Sequence, residues 1–471
     1  MKRRDFLKTG SLAALGGMLL TPFGAKANTI KEEFRGRKAK NIIFMVSDGM
    51  SVGTMIMADI YLKRKNGQSS NWVGLYEDNL VQRALMDMAS ANAIVTDSAA
   101  ASSSWGGGVR VNNGSLNVSP NGKENMPILQ KFKKAGKKVG CVTTVAITHA
   151  TPAGFCVNSK LRGDQSHIAE VYLTLNFDVM MGGGDRFFNP KKRKDKKDMY
   201  TEYLNKGYSV VKTLSDMKNA PKNKPLLGVF YHDSMPYTLD YKATKNPSEL
   251  PTLAQMAEKA IDQMKDHKEG FVLQIEGGKV DWAAHGNDIG GLLFDQLAFE
   301  DAVNVAIEFA KKDGNTLVVV TSDHGNANPG LIYGNECNAN FDNLTNLKYS
   351  NDWILQNVRS TDTPAQLREY LMENFKNIPF TEDEAKDILS YYTGEKKENG
   401  LYNYKKLPYK LLADILKPHT SVGWISMDHS SDYTELAMYG PGSEQLTPFI
   451  KNYQMHNFLL KAAGVDMLEV Y

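Results

Sequence analysis

Short apolar runs rich in β-branched residues alternate along the chain with longer segments whose apolar residues recur at helical spacing. The short runs have the length and composition of buried parallel strands, and the longer segments have the periodicity of helices that pack on a sheet. The predicted strands span residues 41–47, 139–145, 177–181, 226–231, 270–275, 316–321 and 435–439. The predicted helices include residues 123–135, 251–266, 290–311 and 448–463. This alternation predicts an α/β fold with one doubly wound, mostly parallel central sheet and helices on both of its faces.

The stretch from about Asn328 to Lys417 interrupts this alternation. It is polar and aromatic, it contains Asn-rich turns, and its helical patterns lie at 363–375 and 381–392. We interpret it as a crown-like insertion that lies at the entrance to a site formed by the flanking residues. No Pro/Ser/Gly-rich linker divides the rest of the chain, so residues 28–471 are predicted to form one domain.

The amino terminus has the pattern of an export signal. Twin arginines, Arg3 and Arg4, precede an apolar stretch at 11–20 and a small-x-small cleavage site at 25–27. The apolar stretch is far shorter than the roughly 20 residues that a membrane-spanning helix requires. Residues 1–27 are therefore predicted to be a twin-arginine signal peptide, no membrane span is expected, and the mature protein is predicted to be periplasmic.

Net charge changes once this segment is set aside. The full chain of 471 residues has a formal charge of +3, and residues 1–27 contain five basic residues and one acidic residue. Removing that net charge of +4 leaves a mature chain at −1, which implies no nucleic acid or anionic membrane as a partner. The basic run at 191–197 has no interleaved aromatic residues and is interpreted as a solvated loop.

Three cysteines, Cys141, Cys156 and Cys337, are too few for a disulfide framework in a chain of this length. Cys141 lies inside an apolar strand pattern, where a small buried thiol is the ordinary interpretation. A bridge between Cys141 and Cys156 is the alternative in an oxidising compartment, and the sequence alone does not decide between the two.

Metal-ligand side chains follow several of the predicted strands. Active sites form at the carboxyl ends of parallel strands, and a carboxylate just past a buried strand is costly unless a cation holds it. Repetition of this pattern predicts a shared cluster of divalent cations, with Zn²⁺ and Mg²⁺ as the first candidates. The candidate residues are Asp48, Ser98, Glu276, Asp281, His285, Asp323, His324 and His429.

Spacing divides these candidates into groups. Asp281 and His285 are four residues apart, so in a helix they share a face and can bind one ion. Glu276 ends a strand and points elsewhere, which suits a second ion. Asp323 and His324 are adjacent at a strand end, where both can turn toward one site. Any one of these histidines alone would more often be a structural residue, and it is their concentration that favours a metal site.

Ser98 is the candidate nucleophile, because the segment from Asp97 onward has the pattern of a loop that opens an Ala-rich helix. Amides at a helix N-terminus favour an anion beside such a serine. The alternative is a plain N-cap formed by Asp97 or Ser98. No GxSxG elbow surrounds the serine, so activation of the hydroxyl by a metal is favoured over a hydrolase triad. Arg162 could clamp a phosphate with its planar fork.

Taken together, these motifs resemble the alkaline phosphatase family over nearly all of the mature length, in the family's order. VTDSA at 95–99 resembles the nucleophile block. THATPA at 148–153, followed by Arg162, resembles the block that gives a Mg²⁺ ligand and the phosphate-clamping arginine. MGGGDRFF at 181–188 resembles a structural glycine block of the family.

The resemblance implies hydrolysis of small-molecule phosphate monoesters through a transient phosphoserine at Ser98, with Asp97 supporting Arg162, in a homodimer. It also implies two Zn²⁺ and one Mg²⁺ per chain. The first Zn²⁺ would be held by Asp281, His285 and His429. The second Zn²⁺ would be held by Asp48, Asp323 and His324, with Ser98 as its reacting ligand. The Mg²⁺ would be held by Asp48, Thr151 and Glu276, so that Asp48 bridges two ions.

Two positions depart from some bacterial members of the family, which have Asp at the position of His149 and Lys at the position of Trp282. Both residues are expected beside the ligands, where they bear on how tightly Mg²⁺ and product phosphate are held. A phosphodiesterase or nucleotide pyrophosphatase of the same superfamily is the alternative function. Such an enzyme would share the zinc ligands but would not be expected to keep the Thr151 and Glu276 pair or Arg162.

Overall fold

The computed structural model describes residues 32–376 and 378–465, so the predicted signal peptide lies outside the described residues. Its strands are β1 (Asn41–Ser47), β2 (Gln82–Asp87), β3 (Lys138–Ala146), β4 (Val179–Gly183), β5 (Ser209–Val211), β6 (Leu226–Val229), β7 (Phe271–Gly277), β8 (Thr316–Thr321), β9 (Gly325–Asn326), β10 (Gly330–Leu331), β11 (Val422–Gly423), β12 (His429–Ser430), β13 (Thr434–Tyr439) and β14 (Phe449–Lys451).

The helices complete the order of elements along the chain. They are α1 (Val52–Asn66), α2 (Asn71–Glu77), α3 (Ser98–Gly107), α4 (Ile128–Lys134), α5 (Ala150–Cys156), α6 (Gln165–Leu175), α7 (Met199–Asn205), α8 (Leu214–Asn219), α9 (Leu253–Met264), α10 (Lys279–His285), α11 (Ile289–Asp313), α12 (Cys337–Asp342), α13 (Asn351–Gln356), α14 (Pro364–Asn374), α15 (Glu382–Leu389), α16 (Tyr409–Thr420) and α17 (Gln454–Ala462).

Ten strands form one sheet in the order β14-β2-β13-β8-β1-β7-β3-β4-β6-β5. The seven strands from β8 to β5 are parallel to one another, whereas β13 is antiparallel to both β2 and β8. Two short antiparallel pairs, β9–β12 and β10–β11, lie outside this sheet. The predicted fold, a mostly parallel central sheet with helices around it, is confirmed.

Alternate residues of the central strands pack against helices on opposite faces of the sheet. In β1, Ile43 and Met45 join an apolar cluster with α1, α9 and α11, whereas Ile42, Phe44 and Val46 join a second cluster with α3, α4, α5 and α17. Because every residue of β1 is buried, the strand can be apolar throughout instead of alternating with polar residues. The two clusters are the two helical layers that a doubly wound sheet requires.

Each of the seven predicted strands is present, and the differences lie at short or half-buried elements. The strands β2, β5 and β14 were missed, since β5 and β14 have three residues each and β2 is only partly buried. The predicted helix at 448–463 is wrong at its start, where 449–451 form β14 and the helix begins at Gln454. The predicted helix at 123–135 begins instead at Ile128, because Pro127 holds an extended conformation before it.

The late region at 328–417 is more helical than its polar composition suggested. It contains α12 to α16, of which the sequence pattern predicted α14 and α15. Buried residues such as Leu355, Leu371 and Leu412 join the same apolar cluster as α1 and α11. Pairing of β10 with β11 joins the beginning of the region to the chain that follows it. Within the described part of the chain, no helix is long and apolar enough to cross a membrane.

Helices α3 and α5 approach each other closely because two glycines face the contact. A Cβ atom on Gly106 would lie 1.9 Å from the carbonyl oxygen of Gly154, and one on Gly154 would lie 2.1 Å from Ser102 Oγ. Ser102 Oγ also donates a hydrogen bond to Ala150 O across the contact at 3.1 Å. Since α3 begins at Ser98 and α5 contains Thr151, this contact sets the distance between two candidate site residues.

We expect Gly154→Ala to reduce the free energy of unfolding by about 1–3 kcal/mol, the usual cost of overpacking a tight contact. Denaturant titration of the purified variant measures this change. Gly74→Ala in α2 is the matched control, because nothing lies within 4 Å of a Cβ at that position. Equal unfolding midpoints for the two variants would contradict a tight contact between α3 and α5.

Candidate metal centre

Three adjacent strands place the candidate ligands at one edge of the sheet. Val46 of β1 is in register with Glu276 of β7 and with Thr321 of β8, so Asp48 and Asp323 both follow two residues beyond that level. The carboxyl ends of parallel strands are the usual location of active sites in such sheets. All three carboxylates are completely buried, which requires a compensating positive charge.

Two imidazoles face each other in the first group of ligands. Nδ1 of His285 lies 2.7 Å from Met427 O and Nδ1 of His429 lies 2.9 Å from Thr96 O. A carbonyl oxygen can only accept, so each Nδ1 carries a proton and each Nε2 faces the other ring. The two Nε2 atoms lie only 3.0 Å apart. At this separation they need a metal cation or a shared proton between them.

Asp281 completes this first group. Its Oδ1 lies 3.5 Å from His285 Nε2 and 3.4 Å from His429 Nε2. Two ligands at about 2.1 Å from a tetrahedral Zn²⁺ are separated by about 3.4 Å, so these three atoms have the spacing of zinc ligands. The sequence spacing of Asp281 and His285 in one helix predicted this part of the arrangement.

A second group surrounds His324. Its Nε2 lies 3.2 Å from Asp323 Oδ2, 3.7 Å from Asp48 Oδ1 and 3.2 Å from Ser98 Oγ. Both of these carboxylate oxygens are buried and have no hydrogen-bond partner within the described residues. Buried carboxylate oxygens without a partner, an imidazole nitrogen and a serine hydroxyl together form a suitable ligand set for a divalent cation. Such a cation would be bound at the side chain of the candidate nucleophile.

A third group contains the other oxygen of Asp48. Thr151 Oγ1 donates a hydrogen bond to Asp48 Oδ2 at 3.3 Å, and Oε1 of Glu276 is buried without a partner in the described chain. One ligand atom each from Asp48, Glu276 and His149 lie within 4.8 Å of one another. His149 was predicted to lie beside the ligands, and the structure brings it within reach of this group. Oxygen ligands at this position suit a hard cation such as Mg²⁺.

The pKa values in this cluster show how strongly the site favours positive charge. Burial, followed by repulsion from Asp323, raises the pKa of Asp48 well above its ordinary value. Burial likewise raises the pKa of Glu276 and of Asp323 to about 7. Burial acts to lower the pKa of His429, but its hydrogen bond and charge interaction with Asp281 outweigh this and raise it to about 9. Without a cation, protons would have to neutralise these groups.

Ser98 is the first residue of α3, and the helix cap is formed by its neighbour. Asp97 Oδ1 accepts a hydrogen bond from Ala100 N at 2.9 Å, which is the N-cap interaction. The Ser98 side chain is therefore not needed as a cap, and its hydroxyl points toward His324. Only 1% of Ser98 is exposed, so a phosphate that reaches the hydroxyl must enter the metal cluster itself.

Arg162 reaches the site from the turn that precedes α6. Its Nη1 forms an ion pair with Asp97 Oδ2 at 2.9 Å, and its Nη2 lies 3.4 Å from His149 Nε2. Asp97 therefore holds the guanidinium beside the helix that begins at Ser98. Burial, followed by the positive charge of Arg162, lowers the pKa of His149 to about 3, so this imidazole is neutral.

Trp282 adjoins the site together with a residue that the sequence analysis missed. Tyr402 stacks on Trp282 with ring centroids 4.3 Å apart and an interplanar angle of 21°, and its ring centroid lies 5.6 Å from that of His285. It occupies an irregular turn, where no periodic sequence pattern indicates that the Tyr402 side chain points inward. Asn326 was also missed, and its Nδ2 donates a hydrogen bond to Asp281 Oδ1 at 2.7 Å.

The chain matches known proteins along most of its length. The family model described as Alkaline phosphatase matches residues 39–465. Alkaline phosphatase 4 of Bacillus subtilis (strain 168) is 30% identical over 430 residues, which are 90% of this chain and 88% of the relative. The alkaline phosphatase of Escherichia coli (strain K12) is 31% identical over 363 residues, 67% of this chain and 77% of the relative.

Solved structures show the same similarity. The crystal structure of Thermus thermophilus alkaline phosphatase superposes with a TM-score of 0.83 at 30% identity, covering 95% of this chain and 96% of that one. The structure of the alkaline phosphatase from the Antarctic bacterium TAB5 has a TM-score of 0.66 at 23% identity, covering 92% and 100%, and shares the fold.

Proposed function

The chain belongs to the alkaline phosphatase family, and on that premise we propose that it hydrolyses phosphate monoesters through a phosphoserine at a centre of two Zn²⁺ and one Mg²⁺. Family membership makes it a metal-dependent phosphomonoesterase. The position of the Ser98 hydroxyl supports the proposed phosphoserine and metal centre. The hydroxyl lies 3.2 Å from His324 Nε2, inside a cluster of buried candidate ligand atoms that have no hydrogen-bond partner in the described chain.

The proposed ligand sets follow the three groups of side chains. His285 and His429 with Asp281 suit Zn²⁺, because imidazole nitrogens and one carboxylate at tetrahedral spacing are typical zinc ligands. The second Zn²⁺ would be held by Asp48, Asp323 and His324, with Ser98. The Mg²⁺ would be held by Asp48, Thr151 and Glu276, with His149 adjacent.

Ser98 Oγ is the proposed nucleophile. When bound, the cations supply the positive charge that lowers the pKa of the attacking oxygen and stabilises the departing one. Ser98 Oγ forms a bond to phosphorus while the ester P–O bond breaks in line with it and the alcohol leaves. Water then cleaves the phosphoserine, which releases inorganic phosphate and restores the hydroxyl.

Arg162 is proposed to bind the non-bridging oxygens of the transferring phosphoryl group. Its planar fork can donate two parallel hydrogen bonds, and its ion pair with Asp97 fixes it beside Ser98 before the substrate arrives. Positioning of this kind contributes most of the catalysis when the transition state is loose and carries its charge on oxygen.

We further propose that residues 1–27 direct export to the periplasm and that the mature enzyme is a homodimer. The twin-arginine pattern supports the first part, and the resemblance to the family supports the second. Small-molecule phosphate monoesters are the proposed substrates, in keeping with the family, and only 1% of Ser98 is exposed, so the reacting group must be small enough to enter a buried centre.

Replacing Ser98 by alanine removes the proposed nucleophile. We expect Ser98→Ala to reduce turnover of p-nitrophenyl phosphate by roughly 10³-fold or more, because the phosphoserine route is closed. Wild-type enzyme quenched in acid with a ³²P-labelled monoester should carry the label on Ser98. Ser104→Ala is the matched control, since that hydroxyl donates to Ala100 O within the same helix. Label on another residue would contradict the assignment.

Arg162 is expected to set the preference for monoesters over diesters. A monoester presents more free charged oxygens to the fork than a diester does. We expect Arg162→Ser to lower kcat/KM for a monoester by roughly 10²–10⁴-fold and to lower diester hydrolysis much less. Arg83→Ser, which removes an exposed ion pair with Glu435, is the control. An equal loss for both ester classes would show that Arg162 is structural and would leave the phosphodiesterase alternative open.

A further inference from the structure

A cavity of about 270 Å³ adjoins the metal centre on the side of the late region. Helix α10, which carries Asp281 and His285, forms one wall through Lys279, Trp282 and His285. The turn that contains Tyr402 and Tyr404 lines the same cavity, with Tyr402 stacked on Trp282. His285 belongs both to this cavity and to the first ligand group, so the cavity directly adjoins that group.

Lys279 is the unusual member of the lining. Only 6% of the residue is exposed, and its ammonium lies over the rings of Tyr237 and Trp282, at 3.7 Å and 4.4 Å from their centroids. Within the described residues its Nζ makes no hydrogen bond and has no carboxylate oxygen within 4 Å. A buried ammonium has three donors, and the ring faces satisfy its charge but not its hydrogen bonds. These donors favour a ligand that carries oxygen acceptors.

Acceptors and amides line the same cavity as this ammonium. Asp352 accepts hydrogen bonds from Tyr409 and Gln356, and the cavity also contains Gln165 and an ion pair of Arg186 with Asp233. Donors and acceptors are therefore mixed around one small space. A ligand that carries an anionic group in addition to its phosphate is disfavoured here, because the carboxylates of Asp352 and Asp233 face the same space as Lys279.

Aromatic rings form the remaining surface. Tyr404 is 86% exposed at the rim, although exposure of a tyrosine ring to water is unfavourable. Asn403 fixes the turn between the two tyrosines: its side chain donates to Leu407 O at 2.9 Å and accepts from Leu407 N at 2.8 Å. Tyr402 has a φ of 65°, a conformation that a bulky side chain rarely adopts without a compensating interaction. The backbone is thus strained where it directs rings toward the cavity.

We propose that this cavity binds the leaving group of the ester and that it recognises a polyhydroxylated ring, so that sugar phosphates are the preferred substrate class. The inference rests on the proposed function, in which the alcohol departs beside His285. Sugar hydroxyls would accept hydrogen bonds from Lys279 and donate to Asp352, while the C–H face of the ring packs on an aromatic side chain. An aryl leaving group would fill the space but leave the Lys279 donors without acceptors.

A comparison of two esters with the same CH₂–O–P linkage measures the contribution of the ring hydroxyls to kcat/KM. D-glucose 6-phosphate carries them, and cyclohexylmethyl phosphate has a ring of similar size without hydroxyls or ring oxygen. We expect kcat/KM of the wild type to favour glucose 6-phosphate by about 10- to 100-fold, because hydrogen bonds to charged side chains discriminate strongly between such pairs. A ratio near one in a wild type that hydrolyses both esters would overturn the proposal.

Lys279→Met tests the named donor. We expect this variant to lose about tenfold in kcat/KM for glucose 6-phosphate and to hydrolyse cyclohexylmethyl phosphate at nearly the wild-type rate. Lys212→Met is the matched control, because its ammonium lies 3.6 Å from the ring centroid of Tyr200 outside this cavity. An equal loss for both esters would show that Lys279 supports the fold of α10 and does not contact the leaving group.

Tyr404→Ala provides a second test that does not depend on a buried residue. Its exposed ring can be removed without disturbing the core, so both ring esters should lose about threefold or more in kcat/KM relative to methyl phosphate. No change in that ratio would show that leaving groups bypass the cavity. Failure of the proposed function is distinguishable, since it would abolish hydrolysis of every monoester, p-nitrophenyl phosphate included.

Discussion

Burial of several carboxylates at one edge of the sheet determines what the surrounding chain has to supply. Asp48, Glu276 and Asp323 lie at the ends of three adjacent strands and are completely buried, and burial, with added repulsion from neighbouring carboxylates, raises the pKa of each. Asp281 adds a fourth carboxylate from α10. Such a cluster is stable only when cations or protons neutralise it, so binding of divalent metal and stability of this sheet edge are expected to be coupled.

The backbone around the cluster fixes which atoms face those cations. Gly49 has a φ of 67°, and a Cβ there would lie 2.5 Å from Asp281 Oδ1, so a side chain at this position would displace a candidate ligand. Its amide donates to Asp323 Oδ1 at 3.0 Å, which leaves Oδ2 free. The carbonyl groups of Met427 and Thr96 fix the tautomers of His285 and His429 in the same way. The orientation of the proposed ligand atoms therefore depends on backbone groups that have no metal-binding chemistry of their own.

Much of this arrangement could be predicted from sequence, because residues that end buried strands must meet at one edge of a parallel sheet. Asp48, Glu276 and Asp323 belong to that class, and Asp281 with His285 follow from helical spacing. Residues contributed by irregular segments could not be predicted in the same way. Tyr402 lies in a turn without periodicity, and the weak alternation of β2 and the three-residue lengths of β5 and β14 gave no detectable strand pattern. Cys141 and Cys156, for which the sequence left both a bridge and free thiols open, are free buried thiols with Sγ atoms 3.5 Å apart.

Anomalous X-ray diffraction from crystals of the metal-loaded protein, collected above and below the zinc absorption edge, would locate the cations. We expect two zinc peaks: one among Asp281, His285 and His429, and one among Asp48, Asp323 and His324. We expect a lighter ion without a zinc edge beside Thr151 and Glu276. Absence of a peak between His285 and His429, with the two imidazoles sharing a proton in its place, would contradict the claim that cations hold this edge of the sheet together.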